Sequence, residues 1–164
     1  MTIGYPGSNG YSFYLRLLGG AMKISIYSRS TLERKFEHHE IDQENTAIVS
    51  FADSVDDFIE FPDGTNVMKI AFYDIGPYSI PTTDYYRVLP EAKDIAKFVD
   101  TNIKQGKNLI CQCDYGVSRS AGLAAAIMEH YKKEGVKLFA DYRYTPNKFV
   151  FNKVLAALNL LNKK

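Results

Sequence analysis

The chain has 164 residues, of which 46% are hydrophobic and 24% are charged, values typical of one globular domain with a buried core. Its 20 basic and 19 acidic residues leave a formal net charge of +1. Such a balance provides no broad attraction to nucleic acid or to an anionic membrane, so we expect neither as a partner. Any anion that the protein binds must be held by local groups.

The two cysteines, Cys111 and Cys113, are separated by one residue, a spacing poorly suited to a structural disulfide. Free thiols are typical of a reducing compartment, so the cytoplasm is the expected location. No apolar run is long enough to predict a membrane-spanning helix, and the N-terminus lacks the pattern of a secretory signal.

Residues 1–21 are rich in Gly, Ser and Tyr without convincing periodicity, which predicts a poorly ordered N-terminal extension. The Leu-Gly-Gly-Ala that precedes Met22 could be encoded by a purine-rich ribosome-binding sequence, and Met22 would then be the natural start. Residues 22–164 are expected to form a single domain.

From Met22 onward, segments with strand periodicity alternate with segments of helical periodicity. The predicted strands are residues 23–27, 46–51, 67–72 and 108–112. The first predicted helix begins with a capping box at residues 30–33. The second spans residues 90–106, the third spans 120–134, and the last begins near residue 146. This alternation predicts an α/β fold with a central, mostly parallel sheet of four to five strands flanked by helices.

The segment 113–120, Cys-Asp-Tyr-Gly-Val-Ser-Arg-Ser, lies between the last predicted strand and a helix. A loop that enters a helix N-terminus directs backbone N–H groups toward an anion, and the helix dipole adds to the attraction. Gly116 allows a tight backbone path, and Arg119 can hold two oxygens of one phosphate. The same donors favour the thiolate of Cys113, which is therefore the predicted nucleophile, and Ser120 can hydrogen-bond its sulfur. The predicted phosphate-binding loop consists of Asp114, Tyr115, Gly116, Val117, Ser118 and Arg119.

Cys-x5-Arg-Ser between a strand and a helix resembles the signature of the cysteine-dependent protein tyrosine phosphatase superfamily, especially its compact, dual-specificity-like microbial members. The resemblance extends over roughly residues 22–160, because the chain also has an upstream strand ending in Phe-x-Asp and a Pro-Asn before the last helix. It implies a dual-specificity-phosphatase-like fold and hydrolysis of phosphomonoesters through a cysteinyl-phosphate intermediate. We expect no cofactor and no metal.

The resemblance also implies a general acid on a loop upstream of the nucleophile. Asp74, which follows a predicted strand, fits this role, and Asp84 is the alternative. A general acid there would contribute about 10²- to 10⁴-fold in rate. An ordinary strand-end role is the competing interpretation of Asp74. Asp53 is most simply part of a solvated acidic loop, with a role in the choice of substrate as the alternative if that loop borders the pocket.

Two residues beside the nucleophile need separate interpretation. The family commonly has His before the cysteine, whereas this chain has Gln112, which can hydrogen-bond the loop but carries no charge. Cys111 is interpreted as a buried apolar side chain, with a thiol that traps oxidised Cys113 as the alternative.

The predicted substrate is phosphotyrosine in a protein or peptide, with phosphoserine and phosphothreonine left open. Relatives directed at phosphoinositides often carry lysines in the loop, and this loop has none. Asp114 also disfavours a highly phosphorylated ligand. The alternatives are a phosphatase of a non-protein phosphoester and a module that binds phosphate or another oxyanion without turnover.

Overall fold

The computed structural model describes residues 10–17 and 20–163. Its strands are β1 Tyr11–Leu17, β2 Gly20–Ser28, β3 Thr46–Ala52, β4 Val67–Ala71 and β5 Asn108–Cys113. Its helices are α1 Arg29–Glu37, α2 Ala92–Lys104, α3 Arg119–Lys132, α4 Val136–Ala140 and α5 Lys148–Leu161, with a 3-10 helix at Thr82–Arg87. None of the helices in these ranges is both long enough and apolar enough to span a bilayer.

The five strands form one sheet in the order β1-β2-β5-β3-β4. β1 pairs antiparallel with β2, and the other three neighbouring pairs are parallel. The prediction of a mostly parallel sheet of four to five strands flanked by helices is confirmed. β5 occupies the centre because residues 109–113 are all buried, and parallel strands covered on both faces require such an apolar run.

Helices cover both faces of this sheet. On one face, α2, α3 and α5 bury Ile95, Leu123 and Val150 in the main core. On the other, α1 places Leu32 against Ile110 of β5 in a smaller cluster. Each such fully buried aliphatic side chain stabilises the fold by about 1.5–3 kcal/mol. The central strand, which carries Cys113, thus lies between two apolar layers.

The N-terminal strand corrects one prediction. The expectation of a poorly ordered extension over residues 1–21 is wrong for residues 11–17 and 20–21, which form β1 and the start of β2. Phe13 and Leu15 alternate with exposed neighbours and enter the core, and Leu15 lies opposite Met22. Residues 1–9 and 18–19 lie outside the described residues. Met22 as the natural start stays a prediction, as does the domain boundary, which falls inside β2.

Helix α1 begins at Arg29, so the predicted cap at Ser30 is wrong. Ser28 is the N-cap, and its Oγ accepts a hydrogen bond from the Thr31 N–H at 3.2 Å. Glu33 pairs with the Arg29 side chain at 2.9 Å rather than with the backbone. The end of β2 at Ser28 determines where the chain can turn into the helix. The capping residue is therefore set by the sheet.

Candidate active site

The carboxyl ends of four parallel strands meet at one edge of the sheet. Ser28 of β2 lies opposite Cys113 of β5, Asp53 directly follows β3, and Asp74 follows β4. The loop from β5 to α3 starts at this edge. Ligand-binding crevices of open α/β sheets lie at the carboxyl ends of the strands. The topology therefore gathers the predicted site residues at the expected place.

The loop of residues 114–118 turns sharply because of Gly116. Its φ is +67°, in the left-handed region that favours glycine. A Cβ at this position would come within 2.7 Å of the backbone nitrogen of Ser28. The Asp114 carbonyl accepts a hydrogen bond from the Arg29 N–H at 3.1 Å, which ties the loop to the start of α1. Gly116 thus lets the loop pack directly against the end of β2.

In this loop, carbonyl groups accept hydrogen bonds from other parts of the protein, whereas the N–H groups are left without acceptors among the described residues. The Val117 carbonyl accepts from the Thr145 N–H at 3.1 Å, and the Ser118 carbonyl accepts from the Asn147 N–H at 2.9 Å. Within the part of the chain that the structure describes, the N–H groups of residues 114–118 donate to no protein acceptor. Such a loop, leading into the N-terminus of a 14-residue helix, has the features of an anion-binding nest.

Cys113 ends β5 and is 2% exposed. Its Sγ lies 3.0 Å from the Oγ of Ser120, which is fully buried in the first turn of α3. Across residues 10–17 and 20–163, this hydroxyl is the hydrogen-bond partner of the sulfur, and the loop amides make no hydrogen bond to it. The structure therefore brings the predicted nucleophile together with the serine expected to hydrogen-bond it.

The guanidinium of Arg119 is buried and only partly satisfied by the protein. Nη1 donates to Asp53 Oδ1 at 2.8 Å and to the Phe72 carbonyl at 2.7 Å. Nη2 lies 3.6 Å from Asp114 Oδ2, which is longer than a hydrogen bond. Nε is buried and has no hydrogen-bond partner among the described residues. Because an unsatisfied buried donor costs about 1–3 kcal/mol, Nε is available to an external oxyanion.

Asp74 lies against the predicted phosphate-binding loop. Its Oδ1 accepts hydrogen bonds from Ser118 Oγ and from Asn147 Nδ2, each at 2.7 Å. Asp84 lies in the first turn of the 3-10 helix, and none of the contacts found between described residues joins it to the loop. The structure therefore brings Asp74, and not Asp84, to the loop. Its role as general acid stays a prediction.

The two residues preceding the nucleophile both belong to the buried sheet. Gln112 is 1% exposed, and its Oε1 accepts a hydrogen bond from Ser50 Oγ on β3 at 2.5 Å. Among the described residues no hydrogen bond joins this amide to residues 114–119, so the loop contact that Gln112 could make is not formed. Cys111 is fully buried. Burial, followed by the charge of Cys113, raises the pKa of the Cys111 thiol. This favours the neutral form, in keeping with an apolar packing role.

Two residues of the site were not predicted from the sequence pattern. Asp53, most simply interpreted as part of a solvated loop, pairs with Arg119. Its position directly after a buried parallel strand is the signal that could have identified it. Asn147 is the N-cap of α5, which the Pro-Asn pair before a helical segment indicates. Its bond to Asp74 has no local signal.

Comparison of the sequence with protein-family models finds no match, and comparison with curated proteins finds none. Solved structures do match the fold. Human DUSP28 aligns with a TM-score of 0.58 and 12% identity over 90% of this chain and 93% of that one. DUSP15 aligns with a TM-score of 0.57 and 13% identity over 92% and 87% of the two chains. A leucine rich repeat and phosphatase domain containing protein from Entamoeba histolytica aligns with a TM-score of 0.54 and 12% identity over 94% of each chain.

These neighbours are phosphatases of the dual-specificity and protein tyrosine phosphatase type. The chain therefore has the compact, dual-specificity-like fold of the protein tyrosine phosphatase superfamily, as the resemblance of its sequence implied. At identities of 12–13% the likeness concerns the fold.

Proposed function

We propose that this chain hydrolyses phosphomonoesters through a covalent cysteinyl-phosphate intermediate. In the first step the Cys113 thiolate attacks phosphorus, an S–P bond forms and the P–O bond to the alcohol or phenol breaks. Asp74 gives its proton to the departing oxygen. In the second step water attacks the phosphorus and gives a proton to the Asp74 carboxylate. The S–P bond then breaks, releasing phosphate and regenerating the thiolate.

The observation that carries this proposal is the unsatisfied Nε of Arg119, the residue that precedes the Ser120 whose hydroxyl contacts the buried Cys113 thiol. Nη1 is held by Asp53 and Phe72, so the fork is oriented before any ligand binds. Nε and Nη2 then remain for two oxygens of a phosphoryl group. Unbonded N–H groups of residues 114–118 supply further donors. Preorganised donors of this kind stabilise charge that develops in the transition state.

Ser120 is proposed to help the sulfur leave in the second step. Its hydroxyl lies 3.0 Å from Sγ in a fully buried position, so it can donate to the thiolate as the S–P bond breaks. This contact favours a covalent intermediate over simple binding, because a module that only holds phosphate has no use for a donor aimed at sulfur.

The proposed substrate class is phosphotyrosine in a protein or peptide, with phosphoserine and phosphothreonine as further candidates. Tyr115 in the loop is 81% exposed and can contact an aryl ring at the rim. Asp53 and Asp114 flank the guanidinium and disfavour ligands with several phosphates, because each adds a negative charge near the bound anion. A non-protein phosphomonoester is the second enzymatic candidate. Free cysteines at positions 111 and 113 support the cytoplasm as the location.

Hydrolysis of an aryl phosphate by wild type and Cys113→Ser tests the nucleophile. We expect Cys113→Ser to abolish turnover while leaving binding of inorganic phosphate measurable. Cys111→Ala is the matched control, since it changes the other buried thiol two residues away, and it should retain activity. Full turnover in Cys113→Ser would exclude the covalent mechanism. Binding of phosphate by an inactive wild type would favour the module without turnover.

The general acid is tested separately with esters of poor leaving groups, whose departure requires a proton. Asp74→Asn is expected to lower kcat/KM for such esters by about 10²- to 10⁴-fold. Asp84→Asn, the matched variant on the 3-10 helix, should behave like wild type. The reverse result would assign the acid to Asp84.

A further inference from the structure

Asn147 connects three parts of the molecule through its buried side chain and its backbone N–H. The residue is 6% exposed. Its Nδ2 donates to Asp74 Oδ1 at 2.7 Å and to the Ile75 carbonyl at 2.9 Å. Its Oδ1 accepts from the Val150 N–H at 3.1 Å and so caps α5. Its backbone N–H donates to the Ser118 carbonyl of the phosphate-binding loop at 2.9 Å.

The segment that carries Asp74 needs such an anchor. Residues 72–76 belong to no helix or strand, and Asp74 is exposed. Within the described ranges its side chain is held by two donors, Ser118 Oγ and Asn147 Nδ2, both on Oδ1. Oδ2 has no partner there. Because Oδ1 already accepts two hydrogen bonds, Oδ2 is the oxygen suited to carry a proton.

Asn147 is itself held firmly by the packing of α5 on α3. A Cβ at Gly122 of α3 would lie 2.6 Å from the Asn147 carbonyl oxygen, so the two backbones are in direct contact. The neighbouring Val150 is fully buried. A residue fixed in this way can hold an acid on an irregular segment precisely enough for catalysis, since misplacement by about 1 Å can lower a rate about 10²-fold.

We propose that Asn147 is a positioning residue for the general acid. It fixes the Asp74 carboxyl beside the phosphate-binding loop, with Oδ1 occupied and Oδ2 free to protonate the departing oxygen. This inference rests on the proposed function and deepens it. Asn147 acts through Asp74 and is not proposed to contact the substrate.

The test compares two aryl phosphates, one with a poor leaving group and one with a good leaving group. Asn147→Ser keeps an oxygen that can cap α5 but removes both Nδ2 hydrogen bonds. We expect kcat/KM to fall about 10²-fold for the poor leaving group. The good leaving group should change little, because its departure needs no proton. A merely structural role would lower both rates together.

Three further variants make the result specific. In an Asp74→Asn background, Asn147→Ser should cause no additional loss on the poor leaving group, because residues that act through one another are not additive. Val154→Ala weakens the packing of α5 without contacting Asp74, and it should keep the wild-type ratio of the two rates. Asn147→Thr likewise keeps an oxygen that can cap α5 and lacks Nδ2, so it provides the same comparison if Asn147→Ser does not fold.

Equal loss on both esters, wild-type rates on both, or a further loss in the Asp74→Asn background would each overturn the role of Asn147. Dependence on Asp84 instead of Asp74 would overturn it as well. These outcomes differ from failure of the proposed function, which would appear as turnover in wild type that does not depend on Cys113, or as no turnover at all.

Discussion

Replacement of Arg119 by lysine tests whether the fork of the guanidinium, and not only its charge, is used. In the structure Nη1 already has two acceptors, Asp53 Oδ1 at 2.8 Å and the Phe72 carbonyl at 2.7 Å. Nε has none among the described residues, and the nearest carboxylate to Nη2, that of Asp114, is 3.6 Å away. Two nitrogens, Nε and Nη2, are therefore free to donate to two phosphate oxygens.

The size of the effect follows from those two hydrogen bonds. A hydrogen bond to a charged group contributes about 1.5–3 kcal/mol, so the pair contributes about 3–6 kcal/mol to the transition state. Loss of both in Arg119→Ala should lower kcat/KM on the order of 10²- to 10⁴-fold. The amine of Arg119→Lys keeps the charge, but it is drawn to Asp53 and cannot reproduce the planar fork. We expect its kcat/KM to lie nearer that of Arg119→Ala than that of wild type.

The assay is steady-state hydrolysis of an aryl phosphate at fixed ionic strength, together with competitive inhibition by inorganic phosphate. Thermal unfolding of each variant reports whether the fold is intact. Arg143→Lys is the matched control, because Arg143 makes a bidentate pair with Asp141. A folded Arg119→Lys with wild-type kcat/KM and wild-type phosphate inhibition would refute the reasoning.

Three further predictions concern the loop, the two thiols and the N-terminal strand. Gly116→Ala should lower both the activity and the free energy of unfolding, the latter by about 1–3 kcal/mol. The reason is that Gly116 has a φ of +67° and that the new Cβ would lie 2.7 Å from the backbone nitrogen of Ser28. An unchanged free energy of unfolding and unchanged kinetics would contradict this. Alkylation of the native protein at neutral pH, located by mass spectrometry, should modify Cys113 before Cys111, because burial raises the pKa of the Cys111 thiol. Equal labelling of both sites would show that Cys111 is not protected. Leu15→Ala should lower the free energy of unfolding by about 2–5 kcal/mol, since Leu15 is 1% exposed in the core. Tyr14 is exposed, so Tyr14→Ala should change the free energy of unfolding far less. Equal effects of the two substitutions in denaturant titrations would mean that β1 is not part of the folded core.

The central elements could be predicted from the sequence because their signals are local. The apolar run of residues 108–112, followed by Cys113 and a helix rich in Ala and Leu, identifies a buried strand, a loop and a helix without any knowledge of partners. Gly116 and Arg119 belong to the same short segment. Their relative placement is set by a few backbone torsions, so spacing along the chain predicts proximity in space.

Short or weakly patterned elements could not be predicted in this way. The alternation of Phe13 and Leu15 lies among Gly, Ser and Tyr residues, and only its pairing with β2 makes it a strand. The start of α1 at Arg29 likewise follows from the end of β2 rather than from the capping pattern at residues 30–33. α4 and the 3-10 helix have too few turns to show periodicity.

By itself, the sequence predicted a phosphate-binding loop and its candidate nucleophile and identified the α/β class, because those depend on residues close together in the chain. The tertiary structure decided which distant groups complete the site. Asp53 reaches Arg119 across 66 positions, and Asn147 reaches Asp74 across 73. Such contacts depend on strand register and on the packing of α5 against α3. No local pattern encodes that geometry, since it forms only when the sheet and its helices assemble.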